Sequence, residues 1–177
     1  MTRVVLPAYA KVNLFLDVLG KFPDGYHELV TLFERVDLAD ELTLDVVPGG
    51  GIELVCDHRG IPVDDSNLIV RAVRGYREVS GWSDGLKITL KKRIPIAAGL
   101  GGGSSDAAAT LQGLQILSGG SLPHGRLVDI AKKLGADVAF FLSQVPWALG
   151  TGRGDKIQPL LMQIGRASCR ERVCQYV

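Results

Sequence analysis

The stretch Ile94-Pro95-Ile96-Ala97-Ala98-Gly99-Leu100-Gly101-Gly102-Gly103-Ser104-Ser105-Asp106-Ala107-Ala108-Ala109-Thr110-Leu111 decides how the whole chain is read. A strand-like run, Leu86-Lys87-Ile88-Thr89-Leu90, leads into it, and an alanine- and leucine-rich segment leaves it. Ser104, Ser105 and Asp106 are all good N-cap residues, which predicts a helix from about Ser105 to Leu117. The glycines permit positive φ and keep Cβ atoms away, so backbone N–H groups can converge on an anion. A helix N-terminus adds roughly half a positive charge and unpaired N–H groups. Strand, glycine loop, serines and helix together predict a phosphate cradle. The alternative is a flexible linker, but linkers do not usually run straight into a capped, apolar helix.

What the stretch lacks narrows it further. A Walker A loop ends in Gly-Lys-Ser/Thr, whereas Gly103 is followed directly by Ser104. The dinucleotide pattern fails because Ser104 stands at its third glycine position. Neither His-Arg-Asp nor Asp-Phe-Gly, the protein-kinase catalytic motifs, occurs in the chain. The loop therefore points to a nucleotide phosphate on a less common scaffold.

The 177 residues suffice for one good-sized domain or a domain and part of another, and 46% hydrophobic with 22% charged residues is ordinary for a globular protein. A net charge of +1 gives no reason to expect nucleic acid or an anionic membrane as partner. No apolar run is long enough to span a bilayer, and the first residues do not read as a signal peptide, so the cytoplasm is the default expectation. Cys56, Cys169 and Cys174 are too few and scattered for a disulfide framework.

Along the chain, Val4–Leu19 reads as a strand and Gly20–Gly25 as a turn, followed by Tyr26–Phe33 with a mixed signal. Asp40–Val47 alternates as a strand, and Ile52–Cys56 is expected to pair with it as a hairpin. Leu68–Val79 has helical spacing, with Asp65 or Ser66 as the expected cap. A further helix is predicted from about Gly125 to Leu134, with Gly135 as its C′ residue. Trp147–Lys156 is a glycine-punctuated passage without an assigned element. Strands first, then helices alternating with strands, predict an α+β layer fold. From Ile164 the composition changes: three arginines and two cysteines, with no clear amphipathic face. One back-translation of Ile164–Val173 looks like a common sequencing adaptor, so 164–177 is expected to be a non-native tail on a domain covering 1–163, whose native sequence ends near Leu160.

Several side chains invite a chemical reading. Lys11 sits among apolar neighbours, where lysine is unusual unless paired. Asp137 follows a helix stop. Converging on a hydroxyl, the two would suit phosphoryl transfer, the Asp taking or orienting the proton and the Lys offsetting charge. On spacing alone, a snorkelling Lys11 and a capping Asp137 are the simpler reading. Tyr26 and His27 follow a tight turn and could stack on and hydrogen-bond a flat heterocycle, or form an ordinary surface turn. Asn67 and Leu68 read first as a cap and a core residue. His58 and His124 read as surface residues. Lys91-Lys92-Arg93 reads as a solvated strand end, placed where it could meet phosphate oxygens.

With these residues in view, Pro95–Leu111 closely resembles the glycine-serine loop of the kinase superfamily that includes galactokinase and the homoserine, mevalonate and phosphomevalonate kinases. Ala8–Leu16, Asp24–Leu29, Asp65–Ile69 and Leu134–Val138 resemble, in order, the signatures of its branch acting on cytidine diphosphate-linked methylerythritol in non-mevalonate isoprenoid biosynthesis. The resemblance covers about Val4 to Leu160. It implies a ribosomal protein S5 domain 2-like N-terminal domain that uses ATP and Mg²⁺ to phosphorylate the 2-hydroxyl of that compound. It makes Lys11 and Asp137 the catalytic pair, reversing the spacing argument. It assigns Pro95, Ile96, Ala97, Ala98, Gly99, Leu100, Gly101, Gly102, Gly103, Ser104 and Ser105 to the ATP phosphates, with Ser104 or Ser105 near Mg²⁺. Asn67 and Leu68 fall toward the nucleotide base, and Tyr26, His27, Phe33 and Asn13 on the acceptor side. Two departures stand out. Ala139 replaces the family's usual proline, which is expected to loosen that turn. The family also carries a second domain, so this chain alone is expected to be inactive and to leave an apolar face uncovered.

Overall fold

The computed structural model describes residues 2–23 and 25–160; the arginine-rich segment Ile164–Val177, with Cys169 and Cys174, lies outside them, as does Asp24. In chain order the elements are β1 (Arg3–Lys21), β2 (His27–Val47), β3 (Ile52–Cys56), α1 (Leu68–Ser80), β4 (Gly85–Lys91), α2 (Gly102–Leu117), α3 (His124–Leu134), α4 (Ala136–Leu142), β5 (Trp147–Gly152) and β6 (Lys156–Pro159). The predicted α+β layers are present: one mixed sheet, with α2 packed on β1 and β2 and touched in turn by α1, α3 and α4.

The sheet is built on β2. The mixed signal after Tyr26 and the clear alternation after Asp40 belong to one 21-residue strand. Along one edge β2 pairs antiparallel with β1, from Arg3↔Asp45 to Lys21↔His27. Its other edge is shared, with β4 on Glu41–Val47 and β5 on Leu29–Glu34. Register shifts at Tyr9/Lys11, Asn13/Phe15 and Val18/Gly20 act as bulges, which bend and twist such a ribbon. Among the described residues no strand pairs with the outer edge of β1.

The expected hairpin between β2 and β3 does not form. β4 inserts between them, pairing antiparallel with β2 and parallel with β3. The connection β3–α1–β4 is thus a crossover unit, and it buries Leu86, Ile88 and Leu90 completely beside Leu42 and Leu44. Burying a leucine or isoleucine stabilises by about 1.5–3 kcal/mol, more than a two-strand ribbon of β2 and β3 would gain. The guanidinium of Arg77 holds the Pro48–Gly51 connection open, donating to the carbonyls of Gly50 at 2.9 Å and Asp84 at 2.5 Å.

Other local expectations shift. Asn67, not Asp65 or Ser66, caps α1: its Oδ1 accepts from the Ile69 N–H at 2.8 Å. Helix α2 starts three residues before Ser105. Its cap is Gly101 in the left-handed region at φ 73°, and no side chain caps it. Gly135 is extended at φ 166°, so it is no left-handed C′ residue. It ends α3 through its N–H on Ala131 O at 3.1 Å and opens α4 through its carbonyl. The glycine-punctuated passage forms β5 and the turn into β6.

Candidate active site

Residues Pro95 to Ser104 wall a cleft of about 370 Å³, closed on the other side by Ile61, Pro62, Ser66, Asn67 and Leu68, with Lys92 and Asp106 also lining it. The loop's conformation follows from its alternating backbone. Ala97, Gly99 and Gly101, every second residue, have φ of 58°, 74° and 73°. Regular insertion of left-handed residues turns successive N–H groups to one side, the geometry of an anion-binding nest. Gly101 is required twice over: a Cβ there would lie 2.9 Å from the Phe141 ring and 3.2 Å from Lys11 Cε.

The loop rests directly on the first strand. The Lys11 N–H donates to Leu100 O at 3.0 Å. The Lys11 side chain is only 7% exposed, and its Nζ lies 3.3 Å from Asp137 Oδ2. The same ammonium donates to Asn13 Oδ1 at 2.6 Å and stands 5.3 Å from the centre of the Phe33 ring. Asn13 in turn donates to Thr31 Oγ1, and Thr31 to Phe15 O, at 2.6 and 2.8 Å. A chain of hydrogen bonds across β1 and β2 therefore aims the lysine. Asp137 lies in the first turn of α4, where a carboxylate is favoured by the helix dipole, and it is about one-third exposed. Spacing alone favoured a snorkelling lysine and a capping aspartate; the structure brings the two together beside the glycine loop. Ala139 is buried and its carbonyl accepts from Ser143 at 3.2 Å within a formed helix, so the expected loosening is not seen.

Other predicted residues divide. Asn67 and Leu68 serve both readings, as cap or core neighbour and as cleft wall. Ser104 and Ser105 part company: Ser104 lines the loop cleft, while Ser105 is buried and faces a separate groove toward Tyr9 and Arg35. Phe33 is buried and stacks on Phe140 at 4.7 Å between centroids, so it supports Lys11 from below and presents no face to a base. Tyr26 and His27 are exposed at the hairpin end. The β5–β6 turn runs between them and the Lys11–Asp137 pair. Arg153 lies 4.2 Å over the Tyr26 ring, and a Cβ on Gly154 would lie 3.5 Å from Leu29 and 3.9 Å from Ala136, the neighbour of Asp137.

Sequence reasoning missed Arg153 and the buried charges Asp40, Lys92 and Asp106. Lys92 is not a solvated strand end: its side chain is 6% exposed and bonded to both aspartates. Burial works to lower the Lys92 pKa, but Asp106 and Asp40 outweigh it and raise it. Burial lifts the Asp106 carboxyl to about 7; Lys92 opposes and Asp40 adds to the lift. Both shifts follow from one buried ammonium shared between two buried carboxyl groups. A carboxylate directly after the serines, in a run of alanines, was the available signal. No group of three or more His, Cys, Asp or Glu suited to a metal occurs among the described residues.

Comparison with known proteins fits this geometry. The model of the GHMP kinases N terminal domain matches residues 67–144. The 4-diphosphocytidyl-2-C-methyl-D-erythritol kinase of Geobacter sp. (strain M21) is 47% identical over 160 residues, covering 90% of this chain and 57% of that protein. A crystal structure of 4-(cytidine 5'-diphospho)-2C-methyl-D-erythritol kinase superposes with a TM-score of 0.77 at 43% identity, over 90% of this chain and 56% of that one. Homoserine kinase from Cytophaga hutchinsonii, at 18% identity and TM-score 0.68 over 97% and 60% of the two chains, shares the fold. The chain spans about half the length of the curated relatives it matches. It carries a GHMP kinase N-terminal domain and is, over nine-tenths of its length, a homologue of the 4-diphosphocytidyl-2-C-methyl-D-erythritol kinases.

Proposed function

We propose that the full-length protein transfers the γ-phosphoryl group of ATP to the 2-hydroxyl of 4-diphosphocytidyl-2-C-methyl-D-erythritol, a step of non-mevalonate isoprenoid biosynthesis. The observation that carries this reading is the Lys11–Asp137 pair at 3.3 Å, seated on the glycine loop through the Lys11 N–H. The loop N–H groups and the start of α2 hold the polyphosphate, and Asn67 and Leu68 flank the base. Asp137 takes the proton as the acceptor oxygen bonds to phosphorus, and ADP leaves. Lys11, aimed by Asn13, offsets charge on the phosphoryl group in flight. Tyr26 and His27, with Arg153 across the ring, receive the cytidine.

Mg²⁺ accompanying the nucleotide would offset phosphate charge. Ser104, which lines the cleft, suits an ion that keeps its waters and takes few protein ligands. The 177-residue chain by itself is expected to turn over poorly, because Tyr26 and His27 stand open to solvent. Turnover of the cytidyl-diphosphate compound against mevalonate, in the full-length protein, tests the assignment. A preference for the former supports it, and equal rates overturn the role of Tyr26 and His27.

A further inference from the structure

Beneath the glycine loop lies a charged cluster that phosphoryl transfer does not use. Lys92 Nζ donates to Asp40 Oδ2 at 2.5 Å and to Asp106 Oδ2 at 3.0 Å, and both carboxylates are almost fully buried. Asp40 Oδ1 accepts from the backbone N–H groups of Arg93 and Ile94 at 2.5 and 2.9 Å. The Lys92 N–H donates to Asp57 Oδ1 at 2.9 Å. The loop's entry is thus fastened to β2, while its exit runs into α2, whose second turn carries Asp106. The ammonium joins the two ends. It crosses directly under Gly102, where an added Cβ would lie 3.1 Å from Nζ and 3.1 Å from Ile94 Cγ2.

Energetics argue against a plain stabilising role. Burying an ammonium with two carboxylates is costly, and well-packed apolar side chains of similar volume are often as stable or more so. A direct phosphate contact is opposed as well. Two buried carboxylates take up the charge of Lys92, and Asp106 Oδ1 remains buried without a partner. The cluster has the wrong sign to attract an anion and the right geometry to brace the loop around one.

We propose that Lys92, gripped by Asp40 and Asp106, is a positioning residue that clasps the two ends of the glycine loop and keeps its N–H groups converged on a polyphosphate without touching it. The polyphosphate clause rests on the nucleotide reading above; the clasp does not.

Two variants of the 177-residue chain test it, Asp40→Asn and Gly102→Ala. The first removes one grip, and the second presses a methyl group onto the ammonium. In the ligand-free chain, hydrogen exchange at the Lys11, Arg93, Ile94 and Ser105 amides, which donate to Leu100 O, Asp40 and Gly101 O, should quicken at least tenfold. Amides of the β2–β4 ladder should stay within twofold. Equal quickening throughout the sheet would show a general stabilising role and overturn the clasp, as would no change at the four amides. Should Asp40→Asn not fold, Gly102→Ala carries the same comparison. The second arm measures ADP against adenosine. Asp40→Asn removes a negative charge, yet the clasp predicts that the preference for ADP falls at least tenfold with adenosine binding unchanged. A preserved or increased preference contradicts it. If the unaltered chain binds ADP no better than adenosine, the polyphosphate clause falls and the exchange result alone judges the clasp.

Discussion

The glycine loop and the tip of the β1–β2 hairpin lie on either side of the Lys11–Asp137 pair, and they are held in opposite ways. The loop is pinned by the backbone bond to Lys11, by Gly101 against Phe141 and by buried charges below it. The tip presents Tyr26 and His27 to solvent, with Arg153 over the Tyr26 ring, at the end of a ribbon interrupted by three bulges. Next to it on β1, Leu14, Phe15, Leu16, Val18 and Leu19 are all more than half exposed, along a strand edge without a partner among the described residues. The difference teaches that the proposed donor site is preorganised by packing, whereas the residues of the proposed acceptor site stand open to solvent. Conformational entropy is met in advance on one side and at binding on the other.

Breaking that comparison starts with the centre. Lys11→Ala in the full-length protein is expected to lower kcat by about 10²–10³-fold, the usual loss of one positioned charge, with the Kd for ADP within a few-fold. Steady-state kinetics beside a binding titration would separate the two. Next comes the pinned side. Gly101→Ala must hold a Cβ at positive φ and against a ring, costs that together amount to about 2–4 kcal/mol, read as a drop in Tm and loss of ADP binding. On the open side, Tyr26→Ala should leave Tm and ADP affinity alone and raise KM for the cytidyl compound by about tenfold, within the 1–3 kcal/mol range of base stacking.

Much of the donor site was legible in the sequence because glycine spacing and cap chemistry act locally. Even there the serines were misread as caps: Gly101 takes the left-handed turn, so the serines and Asp106 fall within the helix. Asp106 then points inward, to partners 14 and 66 residues away. That network is non-local, and no pattern in Lys91-Lys92-Arg93 distinguishes the buried lysine from its exposed neighbours. The same limit explains β3. A four-residue connection suggests a hairpin until the crossover through α1 places β4 in between. Lys11 and Asp137 stood out individually, but only the resemblance favoured pairing them, since the sheet and α4 bring together residues 126 positions apart.

Two smaller effects sharpen the picture of the pinned side. The Asp106 carboxyl, raised to about 7 by burial, binds its proton more tightly in the folded protein than in the unfolded chain, whose value is near 3.8. Between those values the folded state holds more protons, so this group's stabilising contribution is complete below about pH 4 and is lost as pH rises through about 7. Melting from pH 5 to pH 8 should therefore show a declining component that Asp106→Asn removes; an identical slope in the variant would contradict the assignment. Smallest of all, Ala97 has φ 58° without being glycine. Relief of that conformation in Ala97→Gly, offset by the entropy of the unfolded chain, should change stability by less than about 1 kcal/mol in denaturant titrations.

The most direct test of the account is single-turnover phosphoryl transfer by full-length Asp137→Asn, with ADP affinity measured on the same sample. The account predicts that the nucleotide still binds within about twofold while transfer to the cytidyl-diphosphate acceptor falls by about 10²-fold or more. Transfer at the unaltered rate in Asp137→Asn, and again in Lys11→Ala, would contradict it.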